Sequence, residues 1–280
     1  MFNINAGEQD RHYPALLFIA TPLAIERRIK MNSFIPWIGG KKLLRHEILK
    51  RFPKEKPAKY IEVFGGAGWV LFAKEPISGQ QEIFNDYNSN LINLYRCVKY
   101  HPEEVQKECN LLLNSREQFH DFKSQLNANG LTDIQRASRY LYLIKISFGA
   151  DKKSFGCSDK NIYYAVDMLK DVSKRLNKVT IENQPYQTLI KHYDKENVLF
   201  YIDPPYYKTE KYYGDLFSVE DHEKLRDILK NLKGKFILSY NNCDYIKELY
   251  NEFYIEEVTR NHNLKSNNER YKEVIIRNFK

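Results

Sequence analysis

Asp203, Pro204, Pro205 and Tyr206 stand where an apolar run, Val198–Ile202, stops abruptly. The prolines fix φ and carry no N–H, so the carbonyls around them are free to accept hydrogen bonds. An acid, a rigid acceptor and a flat ring together suit a planar ligand with an amino group, such as a nucleobase. The same four residues can also do no more than end a strand, so their neighbours decide. Glu62-Val63-Phe64-Gly65-Gly66-Ala67-Gly68 is the second set, a Gly-rich turn that lets backbone approach a ligand. A dinucleotide fingerprint requires G-x-G-x-x-G, and Leu71 occupies its third position. Gly39-Gly40-Lys41 fails as a phosphate loop, because Lys42 stands where Ser or Thr must hold magnesium. Asp86 lies about eighteen residues beyond the Gly-rich turn, the usual place for an acid on a ribose. A Gly-rich turn without a phosphate pattern, plus a ribose acid, fits a nucleoside such as S-adenosylmethionine. Asp86 can equally be the N-cap of the helix that follows, and the two roles are compatible.

These residues need strands that end beside one another. Val198–Ile202 has the length and composition of a buried parallel strand. Strands are expected at 60–64, 82–85, Val179–Glu182, 235–240, 253–258 and 274–279, with a helix from Trp69 and another near 245–250. Apolar Leu91, Leu94, Tyr95 and Val98 follow the i, i+3, i+4, i+7 spacing of a helix over 88–100. Ser218, with Asp221 three residues on, caps a helix over 219–232. Alternating strands and helices imply an α/β fold with a doubly wound, mostly parallel sheet. Between 101 and 178 the rhythm breaks into helices at 102–113, 115–126, 132–148 and 161–176. We read this stretch as an inserted helical domain between catalytic parts at 31–100 and 179–280.

The chain has 280 residues, a net charge of +8, 42% hydrophobic residues and 21 tyrosines. That composition supports a sizeable core and an anionic partner, nucleic acid first. None of the four cysteines has a C-x-x-C partner, which indicates reduced thiols in a cytoplasmic protein and no zinc site. Residues 14–25 are apolar, but short for a membrane span and broken by Pro22. Met31 reads as the functional start, with 1–30 a dispensable extension.

Taken in order, Phe34-Ile-Pro-Trp37-Ile-Gly39-Gly40-Lys41, E-V-F-G-G-A-G, N-D-Y-N-S-N-L, D-P-P-Y and a closing Lys272-Glu-Val-Ile-Ile-Arg-Asn resemble the DNA adenine methylase family, the D12 class of N6-adenine methyltransferases. The resemblance implies the S-adenosylmethionine-dependent methyltransferase fold and methyl transfer to N6 of a flipped-out adenine in double-stranded DNA, with no metal. It implies that Trp37, Lys41, Glu62, Phe64, Gly66, Gly68, Asp86 and Asp203 form the donor site. Asp203, Pro204, Pro205 and Tyr206 would hold the base. The 101–178 insertion falls where the family reads its target. Its loop Gly149-Ala-Asp-Lys-Lys-Ser-Phe departs from the family's usual one, so a GATC target does not follow. Lys152, Lys153 and Lys160 are the expected DNA contacts there, and Arg260, Lys265, Arg270 and Lys272 form a second basic group. A monomer with a cognate restriction endonuclease is expected. The alternatives are methylation of adenine in RNA and a catalytically dead DNA-binding regulator. Cytosine N4 is disfavoured, because enzymes acting there more often carry Ser or Thr in place of Asp203.

Overall fold

Strand β4 (Val198–Ile202) is buried along its whole length, as an interior parallel strand must be. It pairs in parallel with β1 (Lys59–Glu62) on one side and β5 (Lys235–Asn241) on the other. Beyond β1 lie β2 (Gln81–Asn85) and β3 (Val179–Glu182), also parallel. Beyond β5, β7 (Tyr271–Arg277) runs antiparallel, and β6 (Tyr254–Arg260) pairs with it at the far edge. The order is β3-β2-β1-β4-β5-β7-β6. The computed structural model describes residues 31–156, 162–208, 217–260 and 271–280, without the side chains of Tyr164, Arg260 and Tyr271.

The two-residue period of the strands divides the core between the two faces of the sheet. Ile61, Phe200, Ile202, Leu238, Val274 and Ile276 pack on one face with α9 (Tyr186–Tyr193), α10 (Val219–Lys230) and α11 (Asp244–Leu249). Tyr60, Leu199, Tyr201, Ile237 and Ile275 pack on the other, with α2 (Trp69–Ala73) and α3 (Ser89–Tyr100). The same alternation sets Glu62, Tyr201, Ser239 and Glu273 on that second face. Every parallel strand points its carboxyl end to one edge, and β1 and β4 diverge there into opposite connections. Such an edge is where open α/β sheets bind ligands.

Residues 101–178 hold α4 (Pro102–Asn110), α5 (Arg116–Ser124), α6 (Asp133–Ile146), α7 (Tyr163–Asp167) and α8 (Leu169–Leu176). The single helix expected over 161–176 is interrupted at Met168. Helix α6 starts with a capping box between Thr132 and Gln135 and packs on α3, α4 and α5. Helix α8 is tied to the sheet by a buried ion cluster. Arg175 donates from Nη1 to Glu82 Oε2 at 2.6 Å and from Nη2 to Oε1 at 2.9 Å. Lys74 donates to the same Oε1 at 2.9 Å. Among the described residues no helix is long and apolar enough to cross a membrane. Residues 1–30, expected as an extension, lie outside the described residues.

Candidate active site

A cavity of about 1370 Å³ opens at the carboxyl edge of β1 and β4. It exceeds the roughly 300–1,000 Å³ of a pocket for one small molecule, leaving room for two ligands. The turn after β1 forms one side. Gly66 and Gly68 have φ of 50° and 64°, values that a side chain makes costly. A Cβ on Gly66 would come within 2.9 Å of the Trp37 ring, so glycine is what lets turn and ring meet. Gly68 is the left-handed N-cap of α2. The Gly66 N–H donates to Asp86 Oδ2 at 2.9 Å, and the Asn88 N–H to Asp86 Oδ1 at 2.8 Å. Asp86 therefore braces the Gly-rich turn against the end of β2. It does not cap α3. That role falls to Asn88, whose side chain accepts from the Asn90 and Leu91 N–H groups.

Glu62 lines the same side from beneath. Its carboxyl accepts from the Tyr60 hydroxyl at 2.7 Å and from the Leu71 backbone N–H in the first turn of α2. Burial pushes it up to about 8, against the pull of those two hydrogen bonds and of Arg175. At neutral pH it is mostly a neutral acid. Phe64 packs against the rings of Tyr186 and Phe217, at 5.6 and 5.9 Å between centroids, and lines the cavity.

The turn after β4 forms the other side. Asp203 Oδ1 accepts from the Ser239 hydroxyl at 2.9 Å and from the Lys41 ammonium at 2.8 Å. Register explains the first bond: Ile202 is paired with Leu238, so the next residues along, Asp203 and Ser239, are neighbours. Both bonds converge on Oδ1. Among the described residues neither Asp203 Oδ2 nor the Pro204 carbonyl takes a hydrogen bond. Burial pushes the Asp203 carboxyl above the usual range, Lys41 pulls it back, and the charge on Glu273 raises it. Lys41 is nearly buried, donates also to the Gly39 carbonyl at 2.8 Å, and stands 4.6 Å from the centroid of the Tyr206 ring. The turn that carries Trp37 to the glycines thus carries Lys41 to the D-P-P-Y segment. The Tyr206 hydroxyl donates to Glu273, whose carboxylate is also 4.0 Å from Lys41.

Ser239 and Glu273 were not among the expected site residues. Glu273 arrives because β7 runs backwards, pairing Glu273 with Asn241 at the carboxyl end of β5. Of the expected DNA contacts, Lys153 is exposed at the cavity rim, whereas Lys152 is half-buried with its ammonium 4.5 Å from the centroid of the Trp37 ring. Lys272 also lines the cavity. Lys160, Lys265, Arg270 and the side chain of Arg260 lie outside the described residues.

The family model described as D12 class N6 adenine-specific DNA methyltransferase matches residues 37–264. The chain belongs to that family. It is 29% identical to the Type II methyltransferase M1.LlaDCHI of Lactococcus lactis subsp. cremoris, over 91% of this chain and 98% of that protein. It is 26% identical to the DNA adenine methylase of Haemophilus influenzae, over 81% of this chain and 86% of the other. Against the DNA adenine methylase of Escherichia coli K12 the identity is again 26%, over 85% and 91%. This D12 methyltransferase transfers a methyl group to N6 of adenine in DNA. Its seven-stranded, mostly parallel sheet with helices on both faces is the α/β methyltransferase fold expected from the sequence. Methyltransferases of this kind draw in general on S-adenosylmethionine.

Proposed function

We propose that the two sides of the cavity divide the reaction, with S-adenosylmethionine on the Gly-rich turn and a flipped-out adenine on the D-P-P-Y segment. The donor side suits a nucleoside. Trp37 offers a flat face, Gly66 and Gly68 bring backbone close, and Asp86 has lone-pair capacity left beyond its backbone bonds. Glu62 and Phe64 shape the floor, and Lys41 and Asp203 stand at the boundary with the base. When bound, the donor would supply a methyl group on a sulfonium: the amino nitrogen's lone pair would form the N–C bond, the S–C pair would withdraw onto sulfur, and the nitrogen's surplus proton would pass to solvent.

Every other requirement falls to the protein. The adenine amino group is a poor nucleophile because its lone pair is delocalised into the ring. Asp203 Oδ2 can accept one of its hydrogens and the Pro204 carbonyl the other. Both bonds strengthen as the nitrogen gains positive charge, which favours the transition state over the ground state. Ser239 and Lys41 fix the carboxylate through Oδ1, and Pro205 keeps the segment rigid. Tyr206, anchored by Glu273, offers a face to the base. Stacking is worth roughly 1–3 kcal/mol and offsets part of the few kcal/mol that flipping costs. The observation that carries this reading is the one-sided bonding of Asp203.

The finer reading includes a monomer acting on duplex DNA in the cytoplasm beside a restriction endonuclease, and two considerations support it. The Lactococcus relative has a Type II name, and the chain has a basic net charge. Direct sequencing of modified adenines in cells that express the protein would give its target. Gly66→Val tests the donor side, because any Cβ there runs into Trp37. Calorimetry should show donor binding lost while duplex DNA is still bound. Wild-type donor affinity in this variant would overturn the placement.

A further inference from the structure

The loop after α6 holds three left-handed residues, Gly149, Ala150 and Lys152, with φ of 57°, 62° and 58°. Two of them carry a Cβ, and each such residue costs on the order of 1 kcal/mol. The loop's own bonds hold this shape. Asp151 Oδ1 accepts from the Lys153 and Ser154 N–H groups at 2.8 and 3.0 Å. The Ser154 carbonyl accepts from the Phe148 N–H at 2.8 Å. The left-handed turn sends neighbouring lysines different ways. Lys153 is exposed, while Lys152 reaches the Trp37 ring that rests on Gly66. Lys152 and Asp86 line the same cavity, and the two charges attract.

An ammonium has three N–H donors. Among the described residues Lys152 uses one, on the Ala150 carbonyl at a long 3.5 Å. Burial lowers Lys152 from the usual lysine range, and Asp151 and Asp86 pull it back. A half-buried cation with idle donors on a cavity wall calls for an acceptor from a ligand.

We infer that Lys152 is a donor-binding residue, not a phosphate contact: it closes the pocket over Trp37 and donates to an oxygen of S-adenosylmethionine. The inference rests on the donor lying beside the Gly-rich turn. The oxygen belongs either to the ribose or to the carboxylate of the donor.

Lys152→Met keeps the apolar stem on Trp37 and removes the charge. Lys153→Met makes the same change one residue away and serves as its control. Calorimetry of the free enzyme should show S-adenosylmethionine binding weakened about 10- to 100-fold in K152M, the loss of a hydrogen bond from a charged donor. Its affinity for unmethylated plasmid DNA, and the salt dependence of that affinity, should match wild type. K153M should bind the donor normally and lose about 0.9 from the salt slope if it meets a phosphate. Methylthioadenosine keeps the ribose and lacks the carboxylate. A K152M penalty that persists with it assigns the ribose, and one that vanishes assigns the carboxylate. Lys152→Arg, which retains the charge, should bind the donor within about threefold of wild type. The inference is overturned by wild-type donor affinity in K152M, by a reduced DNA salt slope in its place, or by an equal penalty in K152R. Failure of the wild-type protein to bind the donor would sink the placement of the donor as well, whereas wild-type binding with an unaffected K152M sinks this inference alone.

Discussion

Two carboxylates on the strands that flank β1 are treated in opposite ways. Glu82, on β2, has donors on both oxygens: Arg175 on each and Lys74 on one. Asp203, at the end of β4, receives Lys41 and Ser239 on a single oxygen and lines a cavity. The first arrangement is saturated and ties α8 to the sheet. The second is oriented but incomplete, with one oxygen left for a ligand. Both acids are paired with lysine, so pairing alone does not mark a functional carboxylate. The unused lone pairs do. Glu62 is a third case, held by a hydroxyl and a backbone N–H in place of a cation, and it is mostly protonated at neutral pH.

The saturated cluster should break with the largest loss of stability. Arg175→Met leaves Glu82 short of donors, and removing one partner of a buried pair costs about 3–5 kcal/mol. Thermal melting should fall by about 10 °C, while the methyl-transfer rate per folded molecule stays within about threefold of wild type. A large loss of rate at unchanged stability would place Glu82 in the catalytic machinery and erase the contrast.

Glu62 gives an effect that depends on pH. Its carboxyl titrates near 8 when folded and at about 4.3 when unfolded. Below the unfolded value both states are neutral, so burial carries no charge penalty. As pH rises through this window the unfolded chain ionises first, and the wild-type protein loses stability until the folded acid ionises too. Glu62→Gln keeps an acceptor oxygen for Tyr60 and cannot ionise. It should melt within a degree or two of wild type at pH 4, below the unfolded value, and clearly above it at pH 8.5. Equal melting at both pH values would show that Glu62 is ionised in the folded protein.

Much of this architecture was legible locally. The apolar runs at β1, β2 and β4 end at Gly-rich, acidic and D-P-P-Y segments, and these segments do meet at one edge. Ser239 and Glu273 were not legible, because each sits inside an apolar strand and reads as an ordinary strand residue. What places them is register and direction: Ser239 follows the partner of Ile202, and Glu273 reaches the carboxyl edge only because β7 is antiparallel. Neither relation has a local signal. The parting of Lys152 from Lys153 was not legible for a different reason. Two adjacent lysines in a polar loop look alike in sequence, and a positive φ at one of them separates their directions. For Asp86, the spacing located the residue but not the better cap two positions on, Asn88.

The central claim is that the open oxygen of Asp203 receives the adenine amino group. The most direct measurement is the single-turnover rate of methyl transfer to unmethylated plasmid DNA by Asp203→Ala, with donor binding followed by calorimetry. The rate should fall by at least about 10²–10³, the usual cost of losing a charge-stabilising contact in a transition state, while donor binding survives at least in part. Turnover near the wild-type rate would contradict the account.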